Sequence, residues 1–452
     1  MNLNRLTDKT DPRVLFVDMN SFFASCEQQV NYYLRGRPVA VCVYTGKRGC
    51  VIAPSNEAKA RGVKLGVRLD EAVKACPDLI PLETNPNRYR EFHQKIIGVL
   101  KRFSDDVLPR SIDEAVVDLR RFRYVYKTDA DVVGVAHAIK KAIRDDVGDY
   151  LKCSIGIAPN VFLAKLGTEI GKRDGLVVIT PDTIDEVLEK LRLTDLPGIG
   201  RNMAIRLENA GIQTPLQLRR ADPNHVRAAC QSIVGWHWHL RLNFGGEVDM
   251  ATTDYRSMQA MRSISREQRR SVGTLRDILT ALCLTLEKRM MKQDVFAQLL
   301  WASIRYDDGP RWGEEVKLNL PMQDGGRLRD LVLNRMDAFR RRHLCGPLLN
   351  DRVTQLCVGV TRFIPAEAVQ YTLFEDYTRE DKLRKTVYTI KDRFGPDKLI
   401  RAYQLADSPV WRDVIGFGNI KDLHSEERVF DPTSRYEPEP FATDPFDSMD
   451  EQ

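Results

Sequence analysis

The chain has 452 residues, too many for one ordinary hydrophobic core, and its 43% apolar and 29% charged residues describe a globular protein of three or four domains. No apolar run approaches the length of a membrane span and the first 13 residues are polar, which excludes a membrane partner and leads us to expect a cytoplasmic protein. Net charge is a modest +6, and nine scattered cysteines without a C-x-x-C pair speak against a disulfide framework or a zinc site.

In chain order, Val14 to Val17 reads as a short buried strand with Asp18 at its carboxyl end, followed by a helix over Ser21 to Tyr33 that stops near Gly36. A strand over Arg37 to Tyr44 leads to a glycine-punctuated turn, a short strand and a helix, with Ser55 as N-cap and Asn56 and Lys59 in its first turns. Arg88 to Phe103 is predicted helical, with Phe92, Ile96, Leu100 and Phe103 on one face. It runs into Leu108 to Leu119, where two acids, Asp113 and Glu114, stand side by side in an apolar, β-branched run. Alternation sends neighbouring strand residues to opposite faces, so one acid sits badly unless the strand bends or ends there or a cation draws both together. A lone acid pair of this kind reads as a solvated hairpin. With Asp18 at the tip of a neighbouring strand, it reads as a three-carboxylate cluster able to hold Mg²⁺ for phosphate chemistry.

Those two stretches, VDMNSFFASCE and SIDEAVVDL, together resemble the catalytic motifs of the Y-family (translesion) DNA polymerases, in their order and separation as well, and the resemblance runs from Val14 to Ala402. It implies a multidomain α/β and α+β fold: a palm over 11–35 and 85–185, small fingers over 36–84, a helix-hairpin-helix thumb over 186–250, and a little finger over 256–365. The remainder, 366–452, is then a tail. The implied reaction is template-directed addition of dNTPs to a primer end by two Mg²⁺ ions, held by Asp18, Asp113, Glu114 and the Met19 carbonyl. The turn Asn20, Ser21, Phe22, Phe23 would give its N–H groups to the phosphates. Phe23 occupies the position of the steric gate against a ribose 2′-hydroxyl, although core packing of the Phe22-Phe23 pair would explain it as well.

The resemblance also assigns Lys59 and Lys165 to the triphosphate. Asn56 and Lys59 stand where many members have Tyr and Arg, so an ammonium replaces a forked guanidinium. The segment SNEAKARGVKLG leans toward the bacterial polymerase V catalytic subunit rather than polymerase IV. Gly49, Cys50 and Ala53 would make a low roof over the nascent base pair, and no second carboxylate cluster suggests proofreading.

Further along, Ala130 to Val147 is an amphipathic helix, Lys152 to Ala158 a strand, and Asn160 to Gly171 a helix carrying Lys165. The Pro197-Gly198-Ile199-Gly200 turn presents main-chain N–H groups at a helix start, suited to a phosphate of any sequence. His237 and His239 invite a metal, but residues two apart on a helix do not share a face, and packing of Trp236 and Trp238 is the better reading. From Ser257 to Phe363 the order strand, helix, strand, strand, helix, strand predicts four strands backed by two helices. Its excess of basic residues, including Arg266, Arg269 and Arg270, is expected to touch DNA phosphates.

Beyond it, Gln370, Leu373 and Phe374 resemble the peptide by which bacterial polymerases bind the sliding clamp. The resemblance to polymerase V adds an accessory subunit or recombinase filament as a further partner. A helix over Arg379 to Ala402 and an acidic, disordered end complete the reading. Two other functions fit parts of the chain: a non-catalytic scaffold for DNA and clamp, against which all three acids speak, and a helix-hairpin-helix nuclease, which leaves the basic third domain unexplained.

Overall fold

The structure is a computed structural model, and it describes residues 10–46, 49–246, 256–309, 311–370, 377–394 and 399. Two compact units divide between Met250 and Ala251.

The first unit is built on a five-stranded sheet in which the strand Val14–Met19 lies at the centre. Glu114–Asp118 pairs with it antiparallel on one side and Cys153–Ala158 antiparallel on the other. Val107–Pro109 and Leu176–Val178 form the edges. Strand alternation decides which residues feed which layer. Leu15, Val17, Val117 and Ile155 face a cluster with the helices Phe22–Val30, Pro86–Leu100 and Asp129–Asp146. Val14, Phe16, Val116 and Ala158 join the helix Val161–Ile170 and the small helices between Ile184 and Leu242. Both faces of the central strand are therefore buried, which explains why VLFV has no polar alternation.

A three-stranded sheet of Val39–Cys42, Val51–Pro54 and Ile80–Glu83 has its own small core around Val51, Ala58, Leu69 and Leu79. Ser55 caps the short helix Asn56–Ala60 by accepting from the Ala58 N–H, as the sequence suggested. The helix that begins at Ser21 in the sequence reading starts at Phe22 and ends at Val30, and a separate 3₁₀ turn spans Tyr32–Leu34.

The second unit has the strand and helix order read from the sequence. Its sheet is antiparallel and runs Arg311–Met322, Val295–Tyr306, Val353–Pro365, Ser257–Ser263. The helices Val272–Lys292 and Gly325–His343 cover one face through Leu279, Leu286, Leu328 and Val332. Register places Trp301, Ser303 and Arg305 on the other face, opposite Gly359, Cys357 and Gln355. The helix Tyr377–Phe394, expected to begin a tail, is fastened to this unit: Arg384 pairs with Asp324 at 2.6 Å and Arg327 with Glu380 at 2.7 Å.

Candidate active site

Asp18 and Glu114 are register partners on the two adjacent central strands, so the fold brings together acids almost a hundred residues apart. Strand geometry puts their Cα atoms about 5 Å apart. Asp113 lies one residue before the start of its strand, which resolves the conflict between neighbouring acids by ending the ladder between them. Its carbonyl still accepts from the Met19 N–H at 2.9 Å, fastening the acid pair to the end of the central strand. The turn itself is closed by the Arg110 N–H donating to the Glu114 carbonyl at 2.8 Å.

Burial and like charge make the cluster uncomfortable without a cation. Burial first, then the charges of Glu114 and Asp113, push the Asp18 carboxyl from 3.8 up to about 7. Burial likewise raises Asp113, offset in part by the Ser111 hydroxyl, which donates to its carboxylate. Glu114 turns to the Lys165 ammonium, which also lies 4.8 Å from the centre of the Phe16 ring. Among the described residues no three His, Cys, Asp or Glu side chains already surround one point as a metal ligand set. Ser111 and Lys165 hold two of the three carboxylates, Asp113 and Glu114. The donor set nevertheless suits a hard divalent cation, being all oxygen, crowded and short of positive charge, with an ammonium as its present neutraliser.

A stability prediction follows from the sign of the Asp18 shift. A folded-state value raised above the unfolded one contributes stability below the unfolded value and loses it as pH rises through about 7. In EDTA, Asp18→Asn is expected to raise the melting temperature at pH 8 by about 5 °C, with the gain shrinking toward pH 5. Thermal melts across that range check it, and coincident melting of the two proteins at pH 8 would contradict it.

The turn after Asp18 is unusual. Ser21 has φ of 49°, left-handed for a residue with a Cβ, and it precedes the helix Phe22–Val30 without a side-chain cap. The first-turn N–H groups of that helix therefore lack intrahelical partners. Asn20 departs from the expectation that it offers its N–H to phosphates, because that N–H donates to the Lys152 carbonyl at 2.8 Å. Its amide is also engaged, donating to the Ser154 hydroxyl at 3.0 Å and accepting the Asp174 N–H at 2.8 Å. From the three-stranded domain, Lys59 donates to the Ser21 hydroxyl at 2.8 Å, and that hydroxyl donates to Asn56 at 3.0 Å. Two lysines thus reach the acid cluster, Lys59 through Ser21 and Lys165 through Glu114.

Phe22 and Phe23 are both buried, as core packing requires. Phe23 stacks on Tyr89, with ring centres 4.3 Å apart and planes 13° from parallel. The sequence reading missed this partner and three others. Glu27 is buried on the same helix as Phe23 and paired with Arg88. His93 Nδ1 lies 2.7 Å from the Ile112 carbonyl, one residue from Asp113. Ser111 could have been found from the turn spacing; His93 and Tyr89 lie on a helix whose pairing with the turn no local pattern reveals.

The remaining candidates belong to other elements. Gly198 adopts φ of 85° with the Trp238 indole 3.6 Å from where a Cβ would stand, and Gly200 is N-cap of the helix Arg201–Asn209. Trp238 is core, and His237 is exposed. In the second unit, Arg266, Arg269 and Arg270 sit in and before the 3₁₀ turn Gln268–Arg270 rather than on a strand. Arg269 is paired with Asp307 at 3.0 Å. Gln370 is exposed; Leu373 and Phe374 lie outside the described residues.

Comparison with known proteins agrees with this arrangement. Residues 17–169 match the impB/mucB/samB family and residues 255–373 its C-terminal domain. DNA polymerase IV 1 of Halalkalibacterium halodurans is 30% identical over 85% of this chain and 91% of its own length. DNA polymerase IV of Pelotomaculum thermopropionicum is 28% identical over 88% and 97%. These relatives carry the polymerase IV name and do not by themselves support the leaning toward polymerase V. Among solved structures, the Y-family DNA polymerase chimera Dbh-Dpo4(243-245)-Dbh shares the fold with a TM-score of 0.66, at 22% identity over 78% of this chain and 99% of that one. By its paired acid motifs, its relatives and its fold, the chain belongs to the Y family of translesion DNA polymerases.

Proposed function

We propose that this DNA-directed DNA polymerase extends a primer on its template by two-metal nucleotidyl transfer centred on Asp18, Asp113 and Glu114. The observation that carries the reading is the pairing of Asp18 with Glu114 across adjacent strands, with Asp113 fastened beside Met19. Those three carboxylates and the Met19 carbonyl would hold two Mg²⁺ ions, which lower the pKa of the primer 3′-hydroxyl and neutralise the triphosphate when bound. The chain's own groups then orient the substrate. Lys59 and Lys165 attract the triphosphate from two sides, and the first-turn N–H groups of Phe22 and Phe23 receive its oxygens. Lys165, paired with Glu114, would turn to a phosphate when substrate binds, and Glu114 would then be among the residues that hold the metal.

The five-stranded sheet serves as palm, the three-stranded domain as fingers, the helices around Gly198 and Gly200 as thumb, and the second unit as little finger. Gly49 folds back so closely that a Cβ would stand 2.1 Å from the Tyr44 carbonyl, and the small Cys50 and Ala53 would add little bulk over a nascent base pair. A low roof of this kind tolerates damaged templates and discriminates loosely, without proofreading. Primer extension with Mg²⁺ over undamaged and abasic templates tests the reading: bypass with frequent misinsertion is expected, and replicative accuracy would sink it.

Gln370, Leu373 and Phe374 form the proposed clamp peptide, two apolar anchors with a polar rim residue. Changing all three to alanine is expected to leave unassisted extension unchanged and to remove stimulation by the clamp, lowering its affinity at least about tenfold. Equal stimulation of wild type and variant would exclude this peptide.

A further inference from the structure

We propose that Arg173, on the turn after the helix Val161–Ile170, contacts the triphosphate of the incoming nucleotide and supplies from the sheet side the guanidinium that Lys59 does not provide. The inference rests on the polymerase reading of the acid cluster. It begins with the backbone. Arg173 and Asp174 have φ of 73° and 72°, two successive left-handed residues that carry side chains. Such a conformation costs on the order of 1 kcal/mol per residue and persists only where neighbours hold it.

Here the neighbours are part of the active site. The Asp174 N–H donates to Asn20, two residues from Asp18, at 2.8 Å. Ser154, which receives the Asn20 amide, donates in turn to the Gly171 carbonyl at 2.9 Å. Lys140 grips the far side, donating to the Asp174 carbonyl at 2.6 Å and pairing with its carboxylate at 2.7 Å. Three anchors therefore press this turn against the strand end that carries the catalytic acid, leaving Lys172 and Arg173 exposed at its tip.

The cations around the site differ in what they already hold. Lys165 is paired with Glu114, Lys172 with Glu169, and Lys59 bonds Ser21. Arg173 has no carboxylate partner among the described residues. Partial desolvation and then the charge of Lys172 lower the Lys59 pKa against the opposing pull of Asp18 and Asp113, with a smaller push from Arg173, so the turn tip, the acids and the fingers lysine share one field. Cations that share one field repel one another and together attract a polyanion that passes between them. A guanidinium also offers two parallel donors to phosphate oxygens, which an ammonium does not.

Steady-state insertion of a single dNTP separates charge from strain. Arg173→Ala and Arg173→Gly are both expected to raise KM for dNTP about tenfold with kcat little changed, and Arg173→Lys to fall between them and wild type. Inhibition by inorganic tripolyphosphate should weaken by a similar factor, because the contact is to the phosphates. An unchanged KM in Arg173→Ala would overturn the proposal, as would a wild-type KM in Arg173→Gly, which relieves the backbone while removing the charge. If wild type itself adds no nucleotide, the polymerase reading fails instead. Calorimetric binding of tripolyphosphate with Mg²⁺, in wild type and Arg173→Ala, then still decides the role of Arg173: weaker binding in the variant supports it and equal binding refutes it.

Discussion

Replacing Asp113 and Glu114 together by alanine is expected to abolish primer extension, a fall of at least about 10³-fold in kcat, while the protein folds and binds primer-template DNA. The magnitude follows from what the pair does. Without those two carboxylates the site keeps a single acid, Asp18, whose pKa burial still raises. One carboxyl cannot hold a pair of hard cations against water. The fold should survive, because the ladder that seats Glu114 is made by main chain. Its neighbours Ala115, Val116 and Val117 carry the packing. Loss of repulsion at Asp18 should even stabilise the metal-free protein. Extension assays with gel-shift binding on the same preparation check both halves. Residual extension within tenfold of wild type would remove the acids from the chemistry, and binding without extension in wild type would favour the scaffold reading.

Phe23→Ala is expected to raise ribonucleotide incorporation relative to deoxyribonucleotide by on the order of 100-fold, the scale on which a packed surface accepts or rejects one small group. Phe23 is held flat by Tyr89, whose ring is fully buried and stacked at 4.3 Å. Glu27, one turn on along the helix of Phe23, keeps a buried carboxylate raised by burial and countered by Arg88. A gate excludes by being unable to retreat, and the stack takes away the space into which Phe23 could move. Tyr89→Leu should therefore loosen the gate in the same direction by a smaller factor, although Tyr89 itself need not touch the sugar. Insertion of matched ribo- and deoxyribonucleotides measures both. An unchanged preference in Phe23→Ala would return Phe23 to the core as a packing residue.

Much of this was legible because the informative features are local. The apolar run Val14 to Val17 ending in an acid, and an acid pair in a β-branched run, carry their burial conflict in the sequence itself. The strand and helix order of the second unit was likewise visible in periodicity, because each element has one buried face. What was not legible depends on pairings across the fold. Asn20 reads as a phosphate-binding turn residue until Lys152 is found opposite its N–H. The pairing of Arg269 with Asp307, on the neighbouring loop, is likewise invisible in the local sequence. Tyr89 and His93 sit on a helix whose sequence shows only an apolar stripe. Which of its residues reach Phe23 and the Ile112 carbonyl depends on how that helix is laid against the sheet. The helix Tyr377–Phe394 fastens to the second unit through charges, Arg384 to Asp324, that hydrophobic periodicity does not register.

The central claim is that three carboxylates from distant parts of the chain seat divalent cations together. Anomalous diffraction from crystals of the protein with primer-template DNA, a non-hydrolysable dNTP and Mn²⁺ tests it most directly. Two manganese peaks bounded by Asp18, Asp113 and Glu114, with Lys165 withdrawn from Glu114, are the expected result. A fully bound nucleotide with no manganese touching those three residues would contradict it.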